Sequence, residues 1–352
     1  MRRDIDRQPA VLAALLARAD VFMRIGAQHL QPDRGGRLYV TGCGDGFFAA
    51  MAAQAFAESL NLDWRPIGAL DLVLDARRLN PADRVIAISM SGNVDRTVEA
   101  ALAATSRGTP LLALVNGPRG GRLGQLATAR ISLELDDVAP FLCGTASYTA
   151  TILALMTLAT GAARGARPDL SSILEAQRVA LCCADPVFSL LGVPSGVRLL
   201  SAGSDRGTVA YGAAKLVELT RIPAWSGDLE EFAHSQYWSM PSTDLVVIVA
   251  AHPELARYAD DACQALGELG VATLAVDTPS SPVPHAAHRI TLPIADDALA
   301  PLATALPLQL LGASMARLSG LDPDTRAHLK TDENRFRVSR LLTRRSLVGT
   351  GT

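Results

Sequence analysis

Short apolar runs alternate with longer amphipathic stretches along most of the chain. Runs such as Val85–Ser89 and Val246–Ala250 are too short for helices and lack the polar alternation of a half-exposed strand. Helical periodicity fills intervening stretches, including Phe47–Leu60, Val94–Ser106 and Pro253–Leu269. Buried strands separated by helices predict a parallel sheet that is covered on both faces.

The same pattern occurs twice, at an offset of about 160 residues. The matched segments are Arg37–Gly42 with Arg198–Gly203, Val85–Ser89 with Val246–Ala250, Thr109–Val115 with Val271–Val276, and Arg130–Leu133 with Arg289–Leu292. We therefore predict an α/β fold with two tandem, doubly wound, flavodoxin-like parallel-sheet units. An N-terminal helix near Val11–Gln28 precedes the first unit, and a tail follows the second. The predicted boundaries are 1–165, 166–333 and 334–352.

Composition excludes several classes of protein. The 352 residues are 49% hydrophobic and carry a formal net charge of -2, so a nucleic-acid binder is not expected. The uncharged runs Cys143–Ala163 and Ala298–Ala316 are only weakly apolar, which predicts core helices and no membrane span. The N-terminus has no apolar region typical of a secretory signal, which predicts a cytoplasmic protein.

The five cysteines, an odd number without CxxC spacing, predict buried thiols in a reducing compartment. His285 and His288 have no partner pair at the spacing of a zinc site. We expect no metal and no cofactor.

Two serines follow the strand that ends near Ile88. The loop Ser89-Met90-Ser91-Gly92 leads into a helix, so backbone amides, the helix dipole and two hydroxyls suit a phosphate. Gly92 would allow a close approach to the ligand, and Thr97 adds a hydroxyl one turn later. The alternative is ordinary helix capping by serine.

The repeat helps to choose between these interpretations. The matching loop of the second half has no serine pair, and its Glu254 would repel a phosphate. This difference favours an anion site in the first half. After the first strand, the turn Gly44-Asp45-Gly46 lets main chain approach a ligand, although it is not a dinucleotide-binding fingerprint. Cys43 is interpreted as a packing residue.

The second half carries its own candidate chemistry. The helix Thr208–Thr220 places Lys215 and Glu218 three residues apart on one face. A predicted loop, Ile222–Asp228, precedes the segment that contains His234. A solvated ion pair and a structural histidine are the ordinary interpretations of these residues.

Taken together, these residues resemble the double sugar-isomerase (SIS) domain family, in particular the isomerase half of glucosamine-6-phosphate synthase and the fructosamine-6-phosphate deglycases. The likeness is carried by Ile5–Pro9, Cys43-Gly44, Ser89–Asn93, the pair Lys215 and Glu218, and Leu229–His234. Glu218 and His234 are sixteen residues apart, as are the family's catalytic glutamate and histidine.

The resemblance implies a small anionic sugar as the ligand. Ser89 and Ser91, with the amides of Met90 and Gly92, would bind its phosphate. Gly144 and Thr145 would form a second sugar-contacting turn.

For catalysis, the resemblance implies that Glu218 moves a proton between C1 and C2 and that Lys215 contacts the sugar. His234 would assist ring opening from the neighbouring subunit of a homodimer, with active sites shared between subunits. Lys330 lies one residue short of the synthase's Schiff-base lysine and is a further candidate.

The chain departs from the family pattern at several positions. Val94 replaces a threonine of the phosphate loop, and Arg96 is a candidate to compensate. Ser235-Gln236 replaces a Gly-Pro pair, and the tail Asn334–Thr352 extends beyond the synthase's end.

The expected function is a sugar-phosphate aldose–ketose isomerase or an aminosugar-phosphate isomerase/deaminase, acting through an enediol or enolamine. A fructosamine-6-phosphate deglycase is one alternative. A non-catalytic sugar-phosphate sensor is another.

Overall fold

A computed structural model describes residues 1–139 and 142–343, apart from the side chain of Arg340. In these residues, ten strands form two five-stranded sheets in which every pairing is parallel. The strands are β1 Leu38–Gly42, β2 Trp64–Gly68, β3 Arg84–Ile88, β4 Leu111–Val115, β5 Ala129–Ser132, β6 Val197–Ser201, β7 Ala224–Asp228, β8 Leu245–Val249, β9 Ala272–Asp277 and β10 His288–Thr291.

Both sheets have the same strand order. The first is β2-β1-β3-β4-β5, and the second is β7-β6-β8-β9-β10 in matching sense. This repeats the doubly wound, flavodoxin-like arrangement in each half and confirms the predicted fold class.

Helices connect the strands and cover the sheets. They are α1 Arg2–Asp6, α2 Gln8–Ala17, α3 Ala19–His29, α4 Asp45–Ala52, α5 Gln54–Ser59, α6 Ala69–Leu74, α7 Asp95–Thr105, α8 Gly121–Leu126, α9 Ala146–Ala163, α10 Ser171–Phe188, α11 Arg206–Thr220, α12 Leu229–His234, α13 Pro253–Glu268, α14 Pro301–Leu318, α15 Ala327–Lys330 and α16 Glu333–Thr343. The stretches predicted as single helices over 11–28 and 47–60 are each divided in two, near Arg18 and Ala53.

The central strands are buried on both faces, as their uninterrupted apolar runs predict. Val85 and Ala87 of β3 pack in a cluster with Val98 and Ala101 of α7. All five residues of β4 are buried as well. Because both faces are covered, only the ends of these strands and the loops beyond them can present chemistry to solvent.

The edge strands β2 and β7 lack the uninterrupted apolar runs of the central strands. Their sequences, WRPIG and AWSGD, mix polar residues, proline and glycine with few large apolar side chains. Most of their residues are only partly buried or exposed, because each strand has a neighbour on one side only. The predicted loop over 222–228 is therefore wrong, since β7 occupies most of it.

Contacts divide the chain into two compact units. The first-sheet unit comprises Ala10–Asp137, Ser147–Pro168 and the described residues from His328 onward. The second-sheet unit comprises Met1–Pro9, the described residues of 138–146, and Asp169–Ala327. The boundaries predicted from the repeat stay predictions. The predicted tail lies partly in α16, and residues 344–352 lie outside the described residues.

Among the described helices, α9 is long and apolar enough to pass a test for a membrane span, but 89% of it is buried within the protein. Such burial is usual for a core helix.

The prediction that the cysteines are buried holds for Cys143 and Cys263 only, because Cys43, Cys182 and Cys183 are exposed.

Candidate functional site

A cavity of about 300 Å³ lies in the first-sheet unit, beyond the carboxyl ends of β1 and β3. Three segments line it: the turn after β1, the loop after β3 and the first turns of α9. The lining residues are Cys43, Asp45, Gly46, Ile88, Ser89, Met90, Ser91, Val94, Ser147, Tyr148 and Thr151. The position matches the ligand site of open parallel sheets, where the loops after adjacent strands diverge.

Ser89 supplies a buried hydroxyl to this cavity. The residue is 5% exposed, and its Oγ has no hydrogen-bond partner among the residues that the structure describes. Its main chain is fully engaged, since its amide donates to the Leu114 carbonyl (3.0 Å) and its carbonyl accepts from the Gly92 amide (2.9 Å). A buried hydroxyl without a partner is costly, so a ligand that bonds to it recovers that free energy.

The serines do not cap the helix that follows. The N-cap of α7 is Val94, and no described side chain accepts a hydrogen bond from the first amides of this helix. In the second sheet, by contrast, His252 caps α13 by accepting from the amide of Glu254 (3.2 Å). The helix amides are thus capped by a side chain in one half and left without a side-chain cap in the other, which favours anion binding over ordinary capping.

Several residues that were predicted for the site support the loops around the cavity but do not line it. Gly92 has φ +67°, and a Cβ there would lie 1.9 Å from the carbonyl oxygen of Gly120. Its glycine is needed for packing between two loops, and the expected close approach to a ligand stays a prediction. Thr97 is fully buried, and its hydroxyl lies 3.5 Å from Sγ of Cys43. Gly44 is the N-cap of α4.

Cys43 lines the cavity and is exposed, so its interpretation as a packing residue is wrong. Arg96 does not compensate for the missing threonine. It forms an ion pair with Glu99 and is not among the residues that line the cavity.

Ser147 and Thr151 are two of the cavity residues that the sequence did not reveal, beside Tyr148. They lie four apart on one face of α9, and the Thr151 hydroxyl donates to the Ser147 carbonyl (2.6 Å). The available signal was this pair of hydroxyls in the first turns of an uncharged helix. The neighbouring Gly144 and Thr145, which were predicted instead, belong to the second-sheet unit.

Gly144 and Thr145 have structural partners within that unit. The Gly144 carbonyl accepts from the hydroxyl of Tyr211 (2.6 Å). The Thr145 hydroxyl bonds to Asp4, which also accepts from the amide of Ala146 (3.1 Å). These contacts hold the N-terminal segment against the turn.

The second-sheet unit brings Lys215 and Glu218 into contact, as their spacing predicts. Nζ of Lys215 lies 2.7 Å from Oε2 of Glu218. The other carboxylate oxygen, Oε1, pairs with the guanidinium of Arg326. The side chain of Glu218 keeps 28% of its surface exposed, whereas that of Lys215 is 6% exposed. A carboxylate held by two cations is fixed in orientation but remains open to a small molecule.

Arg326 was not predicted. It follows α14 in a turn where its own φ is +49°, and Asp322 organises that turn. The Asp322 carboxylate accepts from the amide of Asp324 (2.9 Å) and from the Thr325 hydroxyl (2.8 Å), which lowers its pKa. This local turn directs a distant residue onto Glu218.

His234 ends α12 and is well exposed. Its Nε2 lies 2.8 Å from Oε1 of Glu230, one helical turn earlier. A hydrogen bond from the Tyr258 hydroxyl, followed by the contact with His234, lowers the pKa of Glu230. Asp228 caps the helix by accepting from the amide of Glu230 (2.9 Å). The ring is therefore oriented by a carboxylate and presented to solvent.

Lys330 ends the short helix α15 and is exposed, and it groups with the first-sheet unit. Its role stays a prediction.

Among residues 1–139 and 142–343, no cluster of three or more histidine, cysteine or carboxylate side chains could hold a metal.

Asp205 lies in the turn after β6, where the second sheet corresponds to the glycine turn after β1. It is completely buried, and its carboxylate accepts from the Thr304 hydroxyl. Desolvation by burial raises the pKa of Asp205 to about 7, and the nearby charge of Asp297 adds to the effect. The folded state thus holds a proton that the unfolded chain releases above about pH 4.

We expect this buried carboxyl to reduce stability progressively as the pH rises from about 4 to about 7, because only the unfolded state then deprotonates freely. Replacing Asp205 with asparagine should remove that dependence. The melting temperature of the variant should exceed that of the parent at pH 8, and the difference should shrink toward pH 4. Asp261→Asn, an exposed change of equal charge on α13, is the control. A parent-like pH profile for Asp205→Asn would contradict the assignment.

Comparisons with known proteins agree with this architecture. Residues 33–161 match the SIS domain family. The glutamine–fructose-6-phosphate aminotransferase (isomerizing) of Gloeobacter violaceus is 26% identical over 315 residues, which cover 82% of this chain and 50% of the relative. The chain thus spans about half the length of that curated relative.

Solved structures share the fold. The C-terminal domain of glucosamine-fructose-6-phosphate aminotransferase from Francisella tularensis superposes with a TM-score of 0.77 at 17% identity, covering 91% of this chain and 96% of that domain. Tagatose-6-phosphate ketose/aldose isomerase from Escherichia coli gives 0.75 at 19% identity, covering 92% and 94%. Residues 33–161 thus match the SIS domain, and nearly the whole chain has the fold of these solved structures.

Proposed function

We propose that this protein is an isomerase of anionic sugars, either an aldose–ketose isomerase or an aminosugar-phosphate isomerase/deaminase. The observation that carries the proposal is the buried, unpartnered hydroxyl of Ser89 in a cavity at the ends of β1 and β3. The relatives named above are described as acting on sugar phosphates of this kind, which supports the substrate class.

The cavity would bind the anionic group of the sugar. Ser89 and Ser91 supply hydroxyls, and the amides at the start of α7 carry the positive end of the helix dipole. Ser147 would add a hydroxyl from the opposite wall, where the Thr151 hydroxyl donates to the Ser147 carbonyl. Hydrogen bonds from neutral donors to an anion are charge-assisted and stronger than those to a neutral ligand.

Glu218 would act as the base that moves a proton between C1 and C2. Both of its oxygens form ion pairs in the structure, so one ion pair must break before the carboxylate can accept a proton. Lys215, proposed to contact the sugar, is the partner we expect to move. Arg326 would keep the carboxylate in place during the exchange.

His234 would assist ring opening, with Glu230 fixing the ring. An exposed imidazole suits a residue that acts on a substrate held elsewhere, and we propose that it serves the active site of a second subunit in a homodimer.

The double variant Ser89→Ala, Ser91→Ala tests the substrate-binding role. Hydrogen bonds to charged groups contribute about 1.5–3 kcal/mol each, so we expect KM to rise by at least about tenfold while kcat changes much less. The assay is interconversion of sugar phosphates with solvent deuterium exchange at C1 or C2.

Ser106→Ala, at the far end of α7, is the matched control and should leave KM unchanged. An unchanged KM in the double variant would remove the anion site from the proposal. Release of a free amine from fructosamine phosphates would identify a deglycase, and binding without deuterium exchange would identify a sensor.

A further inference from the structure

The charge of the cavity distinguishes it from a site built for a doubly charged ligand. Among the described residues, its lining holds one carboxylate, Asp45, and no lysine, arginine or histidine side chain. Five hydroxyl side chains supply its polar character, namely Ser89, Ser91, Ser147, Tyr148 and Thr151. The remaining wall is largely apolar and includes Met90 and Val94.

The arginines on the neighbouring helices are neutralised by their own partners. Arg96 forms an ion pair with Glu99, whose side chain is 6% exposed. Arg122 pairs with Asp95 in the first turn of α7 and donates to the carbonyl of Asn93 (2.7 Å). The positive potential at the cavity therefore comes chiefly from the amides at the start of α7, equivalent to about half a charge.

A ligand with two negative charges would exceed this potential, and the Asp45 carboxylate in the same lining would add repulsion. One negative charge matches the helix terminus and the hydroxyl donors better. Building on the proposed function, we propose that the cavity binds a singly charged tetrahedral oxyanion on the substrate. That group is a sulfonate, or a phosphate ester in its singly protonated form, and not a phosphate dianion.

The experiment measures binding to the full chain by calorimetry at pH 5.5 and pH 8.0. The probes are fructose 6-phosphate and 6-deoxy-6-sulfofructose, which differ in the anionic group. The second phosphate pKa is about 6, so we expect fructose 6-phosphate to bind at least about tenfold more weakly at pH 8.0 than at pH 5.5. The sulfonate does not titrate in this range, and its affinity should change less than about twofold.

The sulfonate also controls for titration of the protein. The titratable groups in the lining are the Asp45 carboxyl, the Cys43 thiol and the Tyr148 hydroxyl. Any change that arises from these groups affects both ligands. Equal pH dependence for the two probes would overturn the inference.

Asp45→Asn tests the charge directly. It should strengthen fructose 6-phosphate binding at pH 8.0 by about fivefold, because a unit charge a few ångströms away contributes about 1 kcal/mol even in water. Asp63→Asn makes the same change in net charge at an exposed ion pair with Arg65 and should leave the affinity unchanged.

Different results would contradict the singly charged ligand and the isomerase function. Fructose 6-phosphate that binds as tightly at pH 8.0 as at pH 5.5, and loses affinity in the Ser89→Ala, Ser91→Ala variant, would overturn the singly charged ligand and leave the isomerase proposal standing. If neither probe binds, or if the Ser89→Ala, Ser91→Ala variant binds the probes as tightly as the parent, the anion cavity and the proposed function fail together.

Discussion

Glu218→Gln should lower kcat by about 10²–10⁴-fold, because glutamine keeps the shape of the side chain and cannot accept the proton. KM should change far less, since the proposed anion-binding groups lie on other residues. The change removes one charge from a site with two cations, Lys215 and Arg326, so stability should be measured beside turnover. Thermal unfolding separates a catalytic loss from a folding defect.

The control for this variant is Glu175→Gln. Glu175 also forms an ion pair three residues along a helix, with Arg178 (3.1 Å), and it belongs to the same unit. Its replacement should leave kcat unchanged. Full isomerase activity in the Glu218→Gln protein would eliminate Glu218 as the base.

Mixing subunits extends the experiment to the proposed dimer. Glu218→Gln and His234→Ala proteins should each be inactive alone. If each active site takes its glutamate and histidine from different subunits, random reassociation should restore about a quarter of the parent activity, because half the dimers carry one intact site of two. No recovery after verified exchange would place both residues in sites built from one subunit.

Gly26→Ala should lower the melting temperature by about 6–12 °C. A Cβ at Gly26 of α3 would lie 2.1 Å from the carbonyl oxygen of Leu158 in α9. Reciprocally, a Cβ at Gly161 of α9 would lie 1.9 Å from the carbonyl oxygen of Met23. Backbone cannot swing aside as a side chain can, so the change should cost about 3 kcal/mol, the upper part of the range for overpacking.

Gly267→Ala is the matched control with the opposite expected sign. Gly267 lies near the end of α13, and no described atom comes within 4 Å of the position its Cβ would take. Alanine favours the helix over glycine by up to about 1 kcal/mol, so this variant should melt at or above the parent temperature. Calorimetry of both variants checks the pair. Equal melting temperatures for Gly26→Ala and the parent would show that α3 and α9 do not approach so closely.

The apolar runs of β3 and β8 predicted their burial because a strand covered on both faces has no solvent-facing position for polar residues. The edge strand β7 lacks such a run, since its open side can hold polar and small side chains. In the cavity, Ser89 and Ser91 were predictable because a single strand-loop-helix segment positions both. Arg326 was not, because it reaches Glu218 from more than 100 residues away.

The sequence by itself determined the two-unit α/β fold, the serine-containing loop after β3 and the pairing of Lys215 with Glu218. Each of these depends on residues that are close along the chain or on a repeating period. Tertiary structure alone decided that Ser147 and Thr151 face the loop of Ser89, and that the cavity, in the part of the chain the structure describes, is lined by a carboxylate and by no cationic side chain. Those features arise where separate segments meet, and the packing of distant elements, not local propensity, sets that meeting.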